Sequence, residues 1–294
     1  MNDIKQDNLI FKIFPSFTHP YIALMRLDRP IGFLLLFYPI SFSLVSQRNY
    51  DYELLQYFIL FFIGSVVMRS AGCVINDILD KKIDKKVKRT QSRPLASSKL
   101  TILKACVTLV ILLLIGLLIL INLNMPSIIL GFLIIPLVIL YPLAKRFFAL
   151  PQLILAMTYN WGCMIGWVAI SSPYNFNNIF ILYLSLVIWT IVYDTIYAVQ
   201  DEEEDRKMNL YSTALLFGSK KLLIINSLII IQYFLLIVFG SKMDYGIIFY
   251  VSVVFIYLLN LGDINFLWKN EARNSGLYFK RNNYYGFLIL LSII

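Results

Sequence analysis

Two acidic clusters lie where long apolar stretches of this 294-residue chain end. The first runs from Asn76 to Asp84 and the second from Asp194 to Asp205, and together they contain nine of the 17 acidic residues. Carboxylates beside an apolar segment cost free energy unless a cation neutralises them, and hard divalent cations prefer oxygen ligands. The two clusters therefore indicate sites for metal ions that keep open positions for phosphate oxygens.

Each cluster places its acidic residues on one face if the segment is an α-helix, in which successive residues are about 100° apart. The first face carries Asn76, Asp77, Asp80 and Asp84, and the second carries Asp194, Tyr197, Asp201 and Asp205. Glu203 points almost the opposite way and is expected to be a solvated bystander. Either cluster alone could instead be a charge run paired with nearby lysines. Two clusters on one side of a membrane favour a site, and two such faces opposite each other would supply the ligands of one or two Mg²⁺ ions.

The composition places the chain among integral membrane proteins. Hydrophobic residues make up 59% of the chain and charged residues 15%, and the mean hydropathy is +0.74. Apolar runs of about 17–25 residues, enough to cross a bilayer as a helix, recur along it. We therefore predict an all-α, polytopic membrane fold in a single domain over residues 1–294. The predicted spans are 31–47, 54–75, 101–121, 126–143, 151–171, 178–199, 222–240, 245–261 and 284–294.

The basic residues predict the orientation of the chain. They concentrate in alternate loops, whereas the intervening loops contain only Arg48 and Lys242. By the positive-inside rule, the N-terminal segment 1–30 and both acidic clusters face the cytoplasm. Residues 1–8 are polar and resemble neither a secretory signal nor a transit peptide, which favours a bacterial inner membrane. The net charge of +9 is mainly a topology signal, and nucleic-acid binding is not indicated.

The residues around both clusters resemble the UbiA-type intramembrane prenyltransferases. The first family signature matches residues 68–84 and 88–97, and the second matches Asp194-Thr195-Ile196-Tyr197-Ala198 with Asp201 and Asp205. Further similarities lie at 24–32, 141–146, 150–152, 212–214 and 282–286, so the resemblance covers nearly the whole chain. Both signatures are most similar to those of family members that act in ubiquinone biosynthesis.

The resemblance implies a nine-helix bundle with a central cavity that opens laterally to the lipid bilayer, with both acidic motifs on the cytoplasmic side. The implied reaction is transfer of a polyprenyl group from polyprenyl diphosphate to 4-hydroxybenzoate, at the ring carbon ortho to the phenol, with release of pyrophosphate. Mg²⁺ is the implied cofactor. No particular protein partner is indicated.

The chemistry of this reaction suggests a role for each residue type. Breaking an allylic C–O bond leaves charge on the diphosphate, which metal ions and fixed cations neutralise. The candidate catalytic and metal-binding residues are Asp77, Asp80, Asp84, Asp201 and Asp205, with Asn76 and Asp194 as further ligands. The candidate substrate-binding residues are Arg26, Lys88, Arg89, Arg93, Lys145, Tyr141 and Tyr197. The basic loop residues are explained equally well as topology signals, and single aromatic residues by packing.

Arg69 is a separate candidate. It lies seven residues before Asn76, about two helical turns or ~10 Å deeper in the bilayer, where an unpaired guanidinium would be costly. A carboxylate-bearing acceptor would offset that cost and would be oriented by a bidentate pair. A structural salt bridge or a side chain that reaches the interface explains Arg69 equally well.

Two alternatives to this function remain at the level of sequence. Family members with other acceptors, such as haem, dihydroxynaphthoate or chlorophyllide, share the acidic motifs. A transporter of cations or anionic metabolites could also place acids and arginines around a bundle cavity. Against a transporter, the acidic residues lie at helix ends on one side, and no inverted repeat of broken helices is apparent.

Overall fold

The structure is a computed structural model, and it describes residues 9–47, 51–87, 89–170, 176–268 and 271–294. Every regular element in these ranges is helical, which confirms the all-α class. In chain order the α-helices are α1 (Leu9–Ile13), α2 (His19–Met25), α3 (Ile31–Val45), α4 (Tyr52–Leu79), α5 (Lys81–Asp84), α6 (Ile102–Ile121), α7 (Met125–Leu133), α8 (Ile135–Ala144), α9 (Pro151–Asn160), α10 (Gly162–Ile170), α11 (Phe176–Ala198), α12 (Glu202–Lys207), α13 (Thr213–Phe217), α14 (Lys221–Lys242), α15 (Ile247–Trp268) and α16 (Glu271–Ile293).

Seven stretches among the described residues are long and apolar enough to cross a membrane. They are Tyr52–Leu79, Ile102–Ile121, Met125–Ala144, Pro151–Ile170, Phe176–Lys207, Thr213–Lys242 and Ile247–Trp268, and each contains or overlaps one predicted span. The prediction of a polytopic fold is therefore confirmed, whereas the count of nine spans is not established by length and composition.

The other two predicted spans correspond to α3 and α16. The first is apolar but only 15 residues long. The second, predicted over residues 284–294, lies within the longer helix α16, which begins at Glu271. The first half of α16 carries charged and amide side chains, including Lys280, Arg281 and Asn282. A search for apolar runs therefore misses a helix that its neighbours, rather than its own hydropathy, stabilise.

The chain divides into two compact units, which we describe separately. The first comprises Met1–Leu34 and Ile59–Leu123. Its core joins α2, α4, α6 and the connection between α5 and α6, through the buried residues Leu24, Val67, Ala71, Val74, Leu95, Leu100, Ala105 and Leu112. Because Leu95 and Leu100 belong to this core, the connection that follows the first acidic cluster is packed against the helices.

The second unit comprises Leu35–Phe58 and Asn124–Ile294 and is centred on α11, which packs against α9, α14 and α16. Polar pairs join its helices where few water molecules compete for hydrogen bonds. Trp189 Nε1 of α11 donates to Asn282 Oδ1 of α16 at 2.8 Å, and Tyr278 OH of α16 donates to Asn260 Oδ1 of α15 at 2.7 Å. Such interhelical hydrogen bonds fix helix positions where apolar packing alone is permissive.

Glycines allow close helix packing in the second unit. Gly162 and Gly166 of α10 are four residues apart and both lie against Ile40 of α3, since a Cβ at Gly162 would stand 2.6 Å from the Ile40 side chain. Tyr38 of α3 lies in the same way against Gly286 of α16, and its hydroxyl donates to Asn283 Oδ1 at 3.0 Å. Small residues at these positions therefore bring α3 close to both helices.

We predict that Gly286→Ala destabilises the protein. The added Cβ would lie 2.5 Å from the ring of Tyr38, and overpacking of this kind costs about 1–3 kcal/mol, more than the helix propensity gained from alanine. The melting temperature in detergent should fall by several degrees. The matched control is Gly276→Ala on the same helix, where nothing in the described part of the chain lies within 4 Å of the new atom. Equal melting temperatures for the two variants would contradict the prediction.

Candidate functional site

The first acidic cluster continues the helical path of α4 across its end. The amide of Asp80 donates to Asn76 O at 2.8 Å, and the amide of Asp84 donates to Asp80 O at 2.8 Å. The α-helical hydrogen-bond spacing is thus kept through the junction with α5, and Asp77, Asp80 and Asp84 are all buried. Asn76 is half-buried, whereas Leu79 on the other face is exposed.

Two arginines neutralise these carboxylates. Arg26 Nη2 lies 2.8 Å from Asp77 Oδ1, and Arg93 Nη1 lies 3.3 Å from the same oxygen. Arg93 Nη1 also lies 3.2 Å and 3.1 Å from the two carboxylate oxygens of Asp84. Arg26, Asp77, Arg93 and Asp84 therefore form one ion-pair network, which we call the Arg–Asp network.

The backbone of Arg26 is in a conformation that L-residues rarely adopt. This residue ends α2 in the left-handed region with φ 56° and ψ 29°, at a cost of order 1–3 kcal/mol. Its guanidinium also donates to the carbonyls of Ala23 and Leu24, the last turn of α2. The guanidinium thus joins the negative end of α2 to Asp77.

The position of Arg93 follows from its connection to the core. Thr90 Oγ1 donates to Asp84 O at 3.2 Å, and both the amide and the hydroxyl of Ser97 donate to Arg93 O at 2.8 Å. Leu95, two residues after Arg93, is fully buried. Arg93 is therefore held by a packed turn and not by a freely moving loop.

Burial dominates the electrostatics at this site. Desolvation raises the pKa of Asp84 above its usual value, although the Arg93 guanidinium and the Thr90 hydroxyl oppose the shift. Desolvation likewise raises the pKa of Asp28, opposed by Arg29 and Arg26. Asp28 was not among the residues predicted from the sequence. Its place between two arginines in the matching stretch 24–32 was the available signal.

The described residues of this site offer a buried carboxylate oxygen to a divalent cation, but they do not form a complete set of metal ligands. Among the described residues, no three His, Cys, Asp or Glu side chains lie close enough together to hold a metal ion. Asp77 Oδ2, however, is buried and has no hydrogen-bond partner within the described ranges. A buried carboxylate oxygen in that state is costly, and a Mg²⁺ ion would satisfy it.

Arg69 belongs to the same unit and is partly buried on α4. Its side chain lies against the backbone of Gly32, since a Cβ at that position would be 2.7 Å from Arg69 Nε. Gly32 therefore provides the space that the guanidinium occupies. Gly32 belongs to the matching stretch 24–32, but no role was predicted for it from the sequence.

The second acidic cluster is not one regular helix, which corrects the assumption behind its predicted face. A 3₁₀ turn, Val199–Asp201, separates α11 from α12. The first turn of α12 contains Glu202, Glu203, Glu204 and Asp205, and its last turn contains Arg206 and Lys207. Charges of these signs favour starting a new helix here because they complement its dipole.

The side chains of this cluster differ in their surroundings. Asp194, Asp201 and Asp205 are half-buried, whereas Glu203 is exposed, as its predicted direction requires. Glu202 forms an ion pair with the buried Lys221 and lies 3.4 Å from Arg206. The pairing with nearby basic residues, the alternative that the sequence left open, therefore holds for Glu202.

Neutral hydrogen bonds fix the segment that follows the second cluster. Gln152 Oε1 accepts from the amide of Thr213 at 2.9 Å, and the hydroxyls of Thr213 and Thr195 are 2.6 Å apart. The amide of Tyr211 donates to Lys145 O at 2.8 Å. The structure thus ties the backbone of Lys145 to the chain just after the second cluster. Sequence reasoning missed the bonds of Gln152, Thr195 and Thr213, although all three lie in stretches that match the family.

The remaining candidates are less informative. Tyr141, Lys145 and Arg89 are partly buried, and Lys88 lies outside the described residues. The Tyr197 ring is 4.8 Å from that of Phe279 between centroids, a contact that serves packing. The structure therefore unites Arg26, Asp77, Arg93 and Asp84 directly, and places Asn76 and Asp80 on the same stretch of chain.

These features define an all-helical, multi-pass membrane protein with charged sites at helix ends. A model of the UbiA prenyltransferase family matches residues 34–285. The chain therefore belongs to the UbiA prenyltransferase family.

Relatives and a solved structure agree with this assignment. The 4-hydroxybenzoate octaprenyltransferase of Francisella tularensis subsp. novicida is 38% identical over 93% of this chain and 96% of that protein. The mitochondrial 4-hydroxybenzoate polyprenyltransferase of Drosophila pseudoobscura pseudoobscura is 47% identical over 73% of this chain, which spans about half (54%) of that relative's length. A UbiA homologue from Archaeoglobus fulgidus, solved with GPP and Mg²⁺, has the same fold with a TM-score of 0.69 at 18% identity, over 92% of this chain and 99% of that one.

We predict that two neighbouring glutamates respond differently to neutralisation. Glu202→Gln leaves the buried Lys221 without its counter-ion and should lower the melting temperature by several degrees. Glu203→Gln, the matched control, changes an exposed side chain. It should leave the melting temperature unchanged and turnover within about twofold of wild type. Loss of turnover in Glu203→Gln comparable to that in Asp205→Asn would contradict this interpretation of the cluster.

Proposed function

We propose that the protein transfers a polyprenyl group from polyprenyl diphosphate to the ring carbon ortho to the phenol of 4-hydroxybenzoate, releasing pyrophosphate, in ubiquinone biosynthesis. The observation that carries the proposal is the buried Arg–Asp network at the end of α4, in a chain of this family. The acceptor, 4-hydroxybenzoate, is the one that the names of both relatives give. The relative from Francisella matches this chain over 96% of its own length. The reaction needs carboxylates that hold a metal ion and cations that bind the diphosphate, and the network contains both kinds of group.

The acidic residues would hold Mg²⁺ and the arginines would bind the diphosphate. We assign the metal to Asp77, Asp80, Asp84, Asp201 and Asp205, with Asn76 and Asp194 as further ligands. Bound Mg²⁺ neutralises charge on the leaving diphosphate. Arg26, Lys88, Arg89, Arg93 and Lys145 are the proposed diphosphate cations, of which Arg26 and Arg93 already contact the carboxylates.

The bond changes follow from this placement of charge. The allylic C–O bond breaks with both electrons going to the diphosphate oxygen, and the ring carbon of the acceptor supplies the pair for the new C–C bond. The ring proton at that carbon is then lost. The allylic cation must be protected from water, which apolar helices provide. Tyr141 and Tyr197 are proposed to face this cation.

We propose that Arg69 binds the carboxylate of 4-hydroxybenzoate. It lies two turns before Asn76 on α4 and is packed against the Gly32 backbone. A guanidinium binds a carboxylate through two parallel hydrogen bonds, which also fixes the plane of the ring. The acceptor would then be held apart from the diphosphate cations.

The proposed setting is the bacterial inner membrane, with both acidic clusters and residues 1–30 on the cytoplasmic side. The distribution of basic residues supports this orientation. We also propose that residues 1–294 act as a single integral-membrane domain, because the family match over residues 34–285 includes parts of both compact units.

We predict strict metal dependence in the assay that tests the function. Membranes containing the protein, supplied with polyprenyl diphosphate, Mg²⁺ and a panel of acceptors, should yield prenylated 4-hydroxybenzoate and none of the other products. Excess chelator should abolish turnover, and Asp77→Ala, Asp80→Ala and Asp201→Ala should each lower it by about two orders of magnitude or more. Prenylation of a different acceptor, or full activity in chelator, would refute the assignment.

We predict that Arg69→Leu raises the apparent KM for 4-hydroxybenzoate by ~10–100-fold, or about 1.5–3 kcal/mol for a charge-assisted hydrogen bond. The KM for polyprenyl diphosphate should barely change. Gly32→Ala forces the guanidinium to move and should act in the same direction without removing the charge. An unchanged acceptor KM together with weaker diphosphate binding would assign Arg69 to the leaving group, and loss of folded protein would indicate a structural ion pair.

A further inference from the structure

We propose that the Arg–Asp network binds a divalent metal and a diphosphate together more tightly than it binds either one alone. The reason is that Arg93, the counter-ion of Asp77 and Asp84, can move from these carboxylates to the diphosphate. This inference rests on the proposed function only for the diphosphate, and it concerns binding and not transfer.

The network has balanced charges in the absence of ligands. Two carboxylates, Asp77 and Asp84, face two guanidiniums, Arg26 and Arg93. The side chains of Asp77 and Asp84 are 1% and 7% exposed, and those of Arg26 and Arg93 are 12% and 17% exposed. Charges this far from water need partners at all times, since breaking a buried pair costs several kcal/mol.

Three of the four carboxylate oxygens in the network already contact a guanidinium. Asp77 Oδ1 contacts both arginines, and both oxygens of Asp84 contact Arg93 Nη1. The fourth carboxylate oxygen of the network, Asp77 Oδ2, is buried and has no hydrogen-bond partner within the described ranges. A cation can thus bind first at Asp77 Oδ2, but it gains Asp84 only where Arg93 withdraws.

Withdrawal of Arg93 is unfavourable unless an anion receives it. A metal ion alone would add positive charge beside two guanidiniums, and a diphosphate alone would add negative charge beside two carboxylates. The metal–diphosphate complex supplies both signs together, so each buried charge exchanges one partner for another. A guanidinium suits this exchange, because its fork of N–H groups fits carboxylate and phosphate oxygens equally well.

The exchange predicts that Arg93 has opposite effects on the affinity for the metal alone and on the affinity for the metal–diphosphate complex. Arg93 competes with a metal for the carboxylates, so that the apparent metal affinity equals the intrinsic affinity multiplied by the small fraction of molecules in which the Arg93 pair is broken. The same side chain contributes to diphosphate binding. Removing it should therefore strengthen the binding of metal alone and weaken the binding of the metal–diphosphate complex.

The test uses the protein of residues 1–294 in detergent without acceptor, so that no turnover occurs. Binding of Mn²⁺ alone is measured from the electron paramagnetic resonance of the free ion, and binding of preformed magnesium pyrophosphate is measured by calorimetry. In Arg93→Gln, Mn²⁺ should bind about tenfold more tightly and magnesium pyrophosphate about tenfold more weakly. Each change corresponds to about 1.4 kcal/mol.

The matched control is Lys99→Gln, which removes one positive charge from an exposed position six residues away. Both of its affinities should stay within about twofold of wild type. A similar gain in Mn²⁺ affinity in Lys99→Gln would assign the effect to net charge and overturn the proposal. Unchanged or weaker Mn²⁺ binding in Arg93→Gln would overturn it as well.

Arg93→Lys keeps the test decisive if the glutamine variant does not fold. A lysine ammonium keeps the charge, but it is more strongly hydrated than a guanidinium and loses more hydration when it pairs with buried carboxylates, so Mn²⁺ affinity should rise by about two- to threefold. No rise in this variant would also overturn the proposal. Failure of these binding results beside normal prenylation of 4-hydroxybenzoate would reject the exchange alone, whereas absence of prenylation beside the predicted binding would reject the proposed function alone.

Discussion

The first unit is organised around one constraint, which is that the Asp77 carboxylate is almost completely removed from water. Its side chain is 1% exposed at the end of an apolar helix, and two guanidiniums contact one of its oxygens. The left-handed backbone of Arg26 and the packed turn that carries Arg93 are both needed to deliver those guanidiniums. Local strain at such a position is accepted because the surrounding contacts determine it.

The two acidic clusters are stabilised by different means. The first is held by charge pairs whose members are mostly buried, so its carboxylates depend on cations. In the second, Asp194, Asp201 and Asp205 are only half-buried, and the following segment is fixed by neutral bonds from Gln152 and Thr195. The segment after the second cluster is therefore held by hydrogen bonds that involve no carboxylate, whereas Asp77 and Asp84 of the first cluster are held by the guanidiniums that contact them.

The helical spans were predicted from the sequence more accurately than the contacts between side chains. Long apolar runs report membrane helices directly, and seven of the nine predicted spans coincide with such stretches. The start of α16 and the 3₁₀ turn before α12 were missed, because tertiary packing and the dipole of a short helix decide them. Spacing placed Asp77, Asp80 and Asp84 on one buried face, but the bond from Arg26 to Asp77 joins residues 51 apart and follows only from the folded chain.

The Arg–Asp network is difficult to explain as a device for stability. Well-packed apolar residues in place of a buried ion pair are often neutral or stabilising, and this holds with more force beside a membrane. A chain selected for folding alone would thus gain little from Arg26 in a strained backbone or from Asp77 Oδ2 without a hydrogen-bond partner in the described structure. Departures from local rules that have no compensating gain in packing are typical of functional sites. The cost of these buried charges therefore supports the proposal that the Arg–Asp network is a ligand-binding site.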